Sequence, residues 1–356
     1  MASLSAVRRL ALGFTLIVAA SAVLLVSDLG HRTAGAAAAP RIAVLQHASS
    51  TLLDDGVQGL LDGLREQGFV DGQTIRIDRY NAFGDMATGV AIARQVTTGD
   101  YDLVVTISTP SMQAVANTNT AGRTPHVFGV VADPFSAGIG LDRAHPARHP
   151  KHLTGQSTFL PVNETFELAR QLYPELTTIG VAWNPAESNS EAFTKNAREA
   201  CRALGLTLLE ANVDNGSAIG EAINSLVSRG AQVLWVGGDN TMMAGIDTAI
   251  ATARRNRIPV ITITPGKADR GSLLDVGLDF HAVGRLLGAL AANVLRGADP
   301  AAIPIRDVQD EVPRRIVINT RVTEQLKDRW RVPADLLSRA STIVDDTGVH
   351  QRALGR

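Results

Sequence analysis

The chain is poor in cysteine, in aromatic residues and in net charge, and each shortage argues against one kind of structure or binding site. Only one of the 356 residues is a cysteine, Cys201, so no intramolecular disulfide can form. Aromatic residues make up 4% of the chain, too few to indicate a stacked aromatic cage. Lys and Arg total 34 against 35 Asp and Glu, and this balance gives no electrostatic case for binding nucleic acid or an anionic membrane surface.

Common motifs of catalysis and cofactor binding are also missing. The sequence contains no P-loop, no His-Glu-x-x-His zinc motif and no Gly-x-Ser-x-Gly elbow. Cys201 lies in a helical pattern and is expected to be a packed, inert thiol. His145, His149 and His152 share a loop, but their spacing has no register that would converge three imidazoles on a metal. We therefore expect a protein that is not an enzyme and that has no cofactor and no metal site.

The amino terminus carries a compartment signal. Arg8 and Arg9 precede an uncharged apolar run at residues 10–26, and small residues follow at 34–39. This order is typical of an export signal. The run is also about the shortest that could span a bilayer as a helix, so an uncleaved anchor is an open alternative. Residues 1–40 are predicted to be an export signal or N-terminal anchor, and the body to be periplasmic or on the outer face of the cytoplasmic membrane.

Strands and helices alternate along the rest of the chain. A buried, β-branched run at 103–107 leads into Ser108, Thr109 and a helical pattern, and a second run at 233–236 leads into Asp239, Asn240 and another helix. Such alternation predicts an α/β fold with two doubly wound parallel-sheet lobes. We place lobe one at 41–157 with part of 280–310, and lobe two at 158–279 with part of 311–335. Residues 336–356 lose periodicity and are expected to be a mobile tail.

Several short segments between residues 41 and 326 form an ordered set. They include Ile42-Ala43-Val44-Leu45-Gln46, Asn81-Ala82-Phe83-Gly84-Asp85, Ser108-Thr109-Pro110-Ser111, Val131-Ala132-Asp133-Pro134, Ser188-Asn189-Ser190, Asp239-Asn240 and Gly277-Leu278-Asp279. This set resembles one known family, the tryptophan/tyrosine-type substrate-binding proteins of ABC transporters. The resemblance implies a type I periplasmic-binding fold, with two lobes, a three-crossover hinge and a cleft that closes on an amino acid.

A zwitterionic ligand needs donors for its carboxylate and acceptors for its ammonium group. Ser108 and Thr109, with the N–H groups of the following turn, would supply donors. Polar residues at the other strand ends would supply the remaining contacts. The candidate ligand-binding residues are Gln46, Ser108, Thr109, Asp133, Asn184, Ser188, Asn189, Asp239, Asn240 and Asp279.

Several candidates have a structural alternative that the sequence leaves open. Thr109 and Asp239 could each cap the following helix, Asp133 could form a turn before a proline, and Asp279 could mark an interlobe hinge. The residues after the strand that ends at 183 could be ordinary loop residues. The ligand hypothesis requires Thr109 and Asp239 to face each other across one gap. It also predicts that Asp239→Ala removes the ligand response without changing the melting temperature of the free protein.

Two further residues, His47 and Phe83, could line the pocket for a ligand side chain. Phe83 is expected to be a partly buried loop residue.

These observations predict an extracytoplasmic solute-binding protein of an ABC importer, a monomer that captures an amino acid or a similar small polar ligand. Its closed form would be recognised by an ABC permease in the membrane. The alternative is a membrane-anchored ligand-sensing domain that signals to a membrane partner. The two differ in whether residues 10–26 are cleaved or kept as an anchor.

Overall fold

The computed structural model describes residues 39–352 and, outside this range, Ser21. The predicted export signal or anchor, residues 1–40, therefore lies almost entirely outside the described residues. None of the helices within the described part is long and apolar enough to cross a membrane.

The first sheet has six strands, all of them parallel, in the order β11-β5-β4-β3-β1-β2. Its central strands are apolar and buried on both faces, as helices on both sides of a parallel sheet require. We call this sheet and its helices lobe one. The strands are β1 (Arg41–Gln46), β2 (Arg76–Asn81), β3 (Leu103–Ile107), β4 (His126–Val131), β5 (Leu153–Ser157) and β11 (Arg306–Asp307).

The second sheet has eight strands in the order β14-β13-β12-β10-β9-β8-β6-β7, and with its helices it forms lobe two. It is parallel apart from two antiparallel pairs, β10–β12 and β13–β14. The strands are β6 (Thr178–Trp183), β7 (Thr207–Asn212), β8 (Val233–Val236), β9 (Val260–Thr262), β10 (Leu274–Leu278), β12 (Arg314–Asn319), β13 (Thr342–Asp345) and β14 (Gly348–Gln351).

Polar residues after the strands cap several of the helices. Ser50 accepts from the N–H of Leu53 at 3.4 Å, and Asp85 accepts from that of Thr88 at 2.6 Å. The helices are α1 (Thr51–Glu66), α2 (Met86–Thr98), α3 (Thr109–Thr118), α4 (Val162–Leu172), α5 (Ser188–Leu204), α6 (Ile219–Ser228), α7 (Asn240–Ala244), α8 (Ile246–Arg255), α9 (Phe280–Leu295) and α10 (Ala334–Arg339).

The chain passes between the lobes three times: after β5, after β10 and after β11. The second passage carries α9 back to lobe one, where it packs against α1. Glycines allow the two helix backbones to touch, since a Cβ at Gly59 would lie 2.0 Å from the carbonyl oxygen of His281 and one at Gly284 would lie 2.2 Å from that of Gly56. The predicted α/β fold of two parallel-sheet lobes joined by a three-crossover hinge is confirmed.

The end of the chain differs from the mobile tail expected at 336–356. Residues as far as Gln351 form α10, β13 and β14, and β13 pairs in parallel with β12. Each of the two strands has only four residues, and their side chains are mostly polar or half-buried. Such short edge strands carry little periodicity for a sequence pattern to detect.

Candidate ligand-binding cleft

The carboxyl ends of the two sheets enclose a cleft of about 490 Å³, counting the space open to solvent. We call it the inner cleft. Lobe one contributes a wall that includes Ser108, Thr109 and Thr158, and lobe two contributes Asn189, Gly238 and Asn240. Thr158 lies one residue beyond the boundary expected for lobe one, but it belongs to that side of the cleft because its N–H donates to the carbonyl of Val131 in β4 at 2.7 Å. The rest of its lining is mainly apolar: Leu52, Leu53, Val130, Ala132, Leu160, Phe193, Met243 and Phe280.

The lobes touch beside this cleft. The Nζ atom of Lys267 in lobe two donates to Oγ1 of Thr51 at the start of α1, at 3.0 Å. Phe159, on the first passage between the lobes, packs against Phe193 of α5 with ring centroids 4.9 Å apart. These contacts bring the two walls within reach of one small ligand.

Ser108 and Thr109 lie where sequence analysis placed them, at the start of α3. Both are 3% exposed. Ser108 has φ +98°, a conformation that costs a non-glycine residue about 1–3 kcal/mol. Its hydroxyl accepts from the N–H of Ser111 at 3.5 Å, the limit of a hydrogen bond, so the cap is weak. Ser108 and Thr109 thus place the amino end of α3 at the wall of the inner cleft.

Two buried polar atoms in the cleft wall have no hydrogen-bond partner among the described residues: Oγ1 of Thr158 and Oδ1 of Asn189. The two residues are 3% and 5% exposed. The Asn189 amide is oriented by its Nδ2 group, which donates to the carbonyl of Gly238 at 2.6 Å. A buried polar atom without a partner costs about 1–3 kcal/mol. Each wall of the inner cleft thus includes one residue with a buried polar atom that folding leaves unsatisfied among the described residues.

Asp239 does not line the inner cleft, although its neighbours Gly238 and Asn240 do. The side chain is 2% exposed and caps α7 by accepting from the N–H of Met242 at 2.7 Å. Its other oxygen accepts from the N–H of Asn184 at 2.7 Å and from the Ser190 hydroxyl. Burial, and secondarily the charge of Glu187, raises its pKa to about 6. Thr109 and Asp239 therefore do not face each other across the gap, and the carboxylate organises lobe two.

Glu187 holds part of the cleft wall in place, and sequence analysis missed it. Its Oε1 accepts from the N–H and hydroxyl of Thr241 at 2.9 and 2.7 Å, and its Oε2 accepts from the N–H and Nδ2 of Asn240 at 2.9 and 2.7 Å. The carboxylate thus fixes Asn240 in the cleft wall. Glu187 immediately precedes α5 but does not cap it, and its bonds go instead to the amino end of α7. Since glutamate is an unusual cap, neither its type nor its position in the sequence indicated this contact.

The remaining candidates lie around the cleft. Asn184 is buried and donates to the Thr241 hydroxyl at 2.9 Å. Ser188 belongs, with Asn189, to the first turn of α5 rather than to the loop that was expected. Its hydroxyl oxygen is buried and, among the described residues, has no partner.

Three candidates, Gln46, Asp133 and Asp279, make hydrogen bonds or ion pairs outside the inner cleft. Gln46 donates to Asp54 at 2.9 Å. Asp133 accepts from the N–H of Phe135 at 3.0 Å, as a turn requires, and pairs with Arg143 at 2.6 Å. Asp279 sits at the second passage between the lobes.

Asp279 fits the hinge alternative best. It caps α9 through the N–H of Ala282 at 3.1 Å and accepts from Nε of Arg315, on β12, at 3.2 Å. The hydrogen bonds from Arg315 and Ala282 outweigh the effect of burial and hold the pKa of Asp279 below its usual range.

His47 and Phe83 line an outer part of the cleft with Glu187. His47 is buried, which lowers its pKa. Phe83 is 82% exposed, so the expectation of a partly buried residue is wrong, and its φ of +53° places the ring on the rim.

The histidine loop and the cysteine show no reactive arrangement. His145 pairs with Asp142 at 2.7 Å, whereas Nε2 of His149 bonds the carbonyl of Ile303 at 3.0 Å. No group of three or more metal-ligating side chains occurs within the described residues. Cys201 is buried, and burial raises its pKa to about 12, as predicted for an inert thiol.

Two α/β lobes, three passages and a polar-walled cleft between the carboxyl ends of the strands define a bilobal ligand-binding protein. The family model of ABC transporter substrate binding proteins matches residues 41–343, and the chain belongs to this family. The family resemblance seen in the sequence is thereby confirmed. Its members are substrate-binding proteins rather than enzymes, and proteins of this class work outside the cytoplasm.

Among relatives, a tyrosine-binding protein of Clostridioides difficile is 30% identical over 294 residues, which are 83% of this chain and 82% of that one. A Streptococcus pneumonia ABC domain solved in complex with L-Trp is 27% identical, with a TM-score of 0.79, over 86% of this chain and 99% of that one. A ligand-free, open substrate-binding protein of Clostridium difficile is 29% identical, with a TM-score of 0.62, over 83% and 97%.

Proposed function

We propose that this protein is the extracytoplasmic solute-binding component of an ABC importer and that it captures a net-neutral amino acid with a large apolar or aromatic side chain. The observation that carries the proposal is the pair of unpartnered buried atoms, Thr158 Oγ1 and Asn189 Oδ1, one from each wall of the inner cleft. A ligand that satisfies both atoms stabilises the closed arrangement of the lobes.

The polar wall suits the two charged ends of an amino acid. The hydroxyls of Ser108 and Thr109, at the amino end of a ten-residue helix, are donors for a carboxylate. The oxygen of Asn189 is an acceptor for the ammonium group, and Thr158 can serve either end.

The apolar lining sets the kind of side chain. None of the residues lining the inner cleft is ionisable. Because a charged side chain would be buried there without a partner, the cleft favours a zwitterion with no further charge. The tyrosine-binding relative and the relative solved in complex with L-Trp support the same class of ligand.

The test is a thermal-shift screen of the full chain against the twenty amino acids. A bound ligand at 100 times its Kd adds about 2.7 kcal/mol to the free energy of unfolding. We expect L-tryptophan or L-tyrosine to raise the melting temperature, and L-lysine and L-glutamate to leave it unchanged. Thr109→Val should reduce the shift, whereas Thr118→Val, at the other end of α3, should not.

Two outcomes would overturn the proposal. One is a screen in which none of the amino acids stabilises the chain. The other is a Thr109→Val variant that keeps the full ligand response.

The proposed importer role also predicts a partner in the membrane and a location outside the cytoplasm. We propose that a membrane permease recognises the closed monomer, and that residues 1–40 export it. Mass spectrometry of the protein from native membrane and soluble fractions checks the second point. A mature chain that begins near residues 36–41 supports export with cleavage, and one that begins at residue 1 supports the anchored sensor.

A further inference from the structure

A second cavity lies in lobe two, at the opposite end of the sheet from the cleft. Its lining includes Val260, where β9 begins, and Asn319, where the antiparallel β12 ends. The inner cleft lies beyond the carboxyl ends of the parallel strands, so this cavity lies at their amino ends. Its volume is about 740 Å³, counting the space open to solvent. A ligand could occupy it whether the cleft is open or closed.

Four arginines line this cavity, which we call the arginine cavity: Arg254, Arg257, Arg270 and Arg321. Arg270 donates to both carboxylate oxygens of Asp247 at 3.0 Å. The other three have no carboxylate within 4.0 Å among the described residues. One acidic residue, Asp269, shares the lining. The cavity therefore keeps an excess of positive charge.

The three arginines are held in place by main-chain carbonyls. Nη2 of Arg254 donates to the carbonyl of Arg270 at 3.3 Å, and Nε of Arg257 donates to that of Gln325 at 3.3 Å. Nε of Arg321 donates to the carbonyl of Asp345. A carbonyl orients a guanidinium group without neutralising it, and each group has five N–H donors. Most of these donors stay available to an anion.

The floor of the cavity is apolar. Ile250, Ile258 and Val260 are each at most 3% exposed and belong to the core of lobe two. A rim of oriented guanidinium groups over an apolar floor suits a molecule with an anionic head and an apolar body. Guanidinium groups bind phosphate oxygens in pairs, which makes phosphate the best-matched head.

We propose that the arginine cavity binds a phosphate-bearing molecule, with the phosphate on Arg254, Arg257 and Arg321 and the apolar part on the floor. Soluble phosphate monoesters and phospholipid headgroups share this chemistry. The site is independent of the amino acid proposed for the inner cleft.

The test measures binding of phenyl phosphate to the full chain by titration calorimetry at low ionic strength. Arg254→Ala/Arg257→Ala is expected to weaken binding about tenfold or more. The matched control, Arg94→Ala/Arg202→Ala, removes two exposed arginines elsewhere and should change affinity less than about twofold. Unchanged melting temperatures of both variants establish that they fold.

Co-sedimentation with phosphatidylcholine vesicles, with and without phosphatidic acid, separates the two sources of phosphate. Binding of phenyl phosphate without vesicle binding assigns a soluble ligand. Vesicle binding that requires phosphatidic acid and is lost in Arg254→Ala/Arg257→Ala assigns a headgroup. The proposal is wrong if neither probe binds, if the cavity variant binds both probes as the wild type does, or if the control variant loses as much affinity.

Discussion

The two walls of the inner cleft use their polar groups differently. Lobe one presents hydroxyls, and Oγ1 of Thr158 has no partner within the described part of the chain. Behind the wall of lobe two, the carboxylates of Asp239 and Glu187 accept hydrogen bonds from the loops and helix around them. Folding therefore satisfies the charged groups beside the cleft and leaves a hydroxyl of the opposite wall without a partner among the residues described.

The lobes also bury opposite kinds of titrating side chain. Lobe one buries His126, whose pKa burial lowers to about 3. Lobe two buries Asp239 and Asp275, and burial raises the pKa of each to about 6. The lobes should therefore respond in opposite directions to a change of pH.

The largest expected effect is that of Asp239→Ala on lobe two. The change removes a helix cap and leaves buried donors at Asn184, Ser190 and Met242 unpaired. We expect a loss of about 3–5 kcal/mol in the free energy of unfolding, measured by urea denaturation. The exposed control Asp310→Ala should change it by less than about 0.5 kcal/mol. This reverses the expectation drawn from sequence. A variant that keeps its stability but loses its ligand response would restore Asp239 as a ligand contact.

His126→Gln tests lobe one. The pKa of His126 in the folded state, about 3, lies below its ordinary value of 6.5, so the unfolded chain takes up a proton first as pH falls and stability is lost between those values. Glutamine can keep the bond to Oγ1 of Thr106, which His126 makes through Nε2 at 2.8 Å. The free energy of unfolding of the wild type, relative to that of His126→Gln, should fall by roughly 3 kcal/mol from pH 7 to pH 4.

The matched control for that variant is Gln73→Ala, an exposed residue of lobe one that does not titrate. Its stability difference from the wild type should stay nearly constant over the same range of pH. An advantage of the wild type over His126→Gln that does not change with pH would contradict the account of lobe one.

Asp275→Asn tests lobe two with the opposite sign. Its raised pKa means that the stabilising contribution is complete below pH 3.8 and is lost as pH rises through about 6. The stability advantage of the wild type over the variant should therefore shrink by roughly 2 kcal/mol from pH 4 to pH 7. Denaturation curves at the two pH values measure it, with Asp310→Asn as control. A difference that grows with pH would be incompatible with a buried acid.

Much of the fold could be predicted because it depends on local patterns. The apolar run at 103–107 and the hydroxyls after it marked β3 and the start of α3, and the run at 233–236 marked β8. Strand–helix alternation then left the parallel sheets as the natural architecture.

The site was harder to predict because side-chain direction depends on tertiary contacts. Asp239 is at the predicted strand end, yet its carboxylate turns into lobe two because buried donors from β6 and α5 meet it there. Thr158 follows β5 with no motif to distinguish it from its neighbours, and only the cleft geometry reveals its unpartnered oxygen.

The most direct test of the central claim measures stability and affinity together in Thr158→Val. Valine keeps the shape of threonine but removes the hydroxyl. If this hydroxyl forms a hydrogen bond only when a ligand is bound, the free energy of unfolding of the free protein should stay the same or rise by up to about 1 kcal/mol. The affinity for L-tryptophan or L-tyrosine should fall about tenfold. A variant that is less stable by more than about 1 kcal/mol and binds with unchanged affinity would contradict the account.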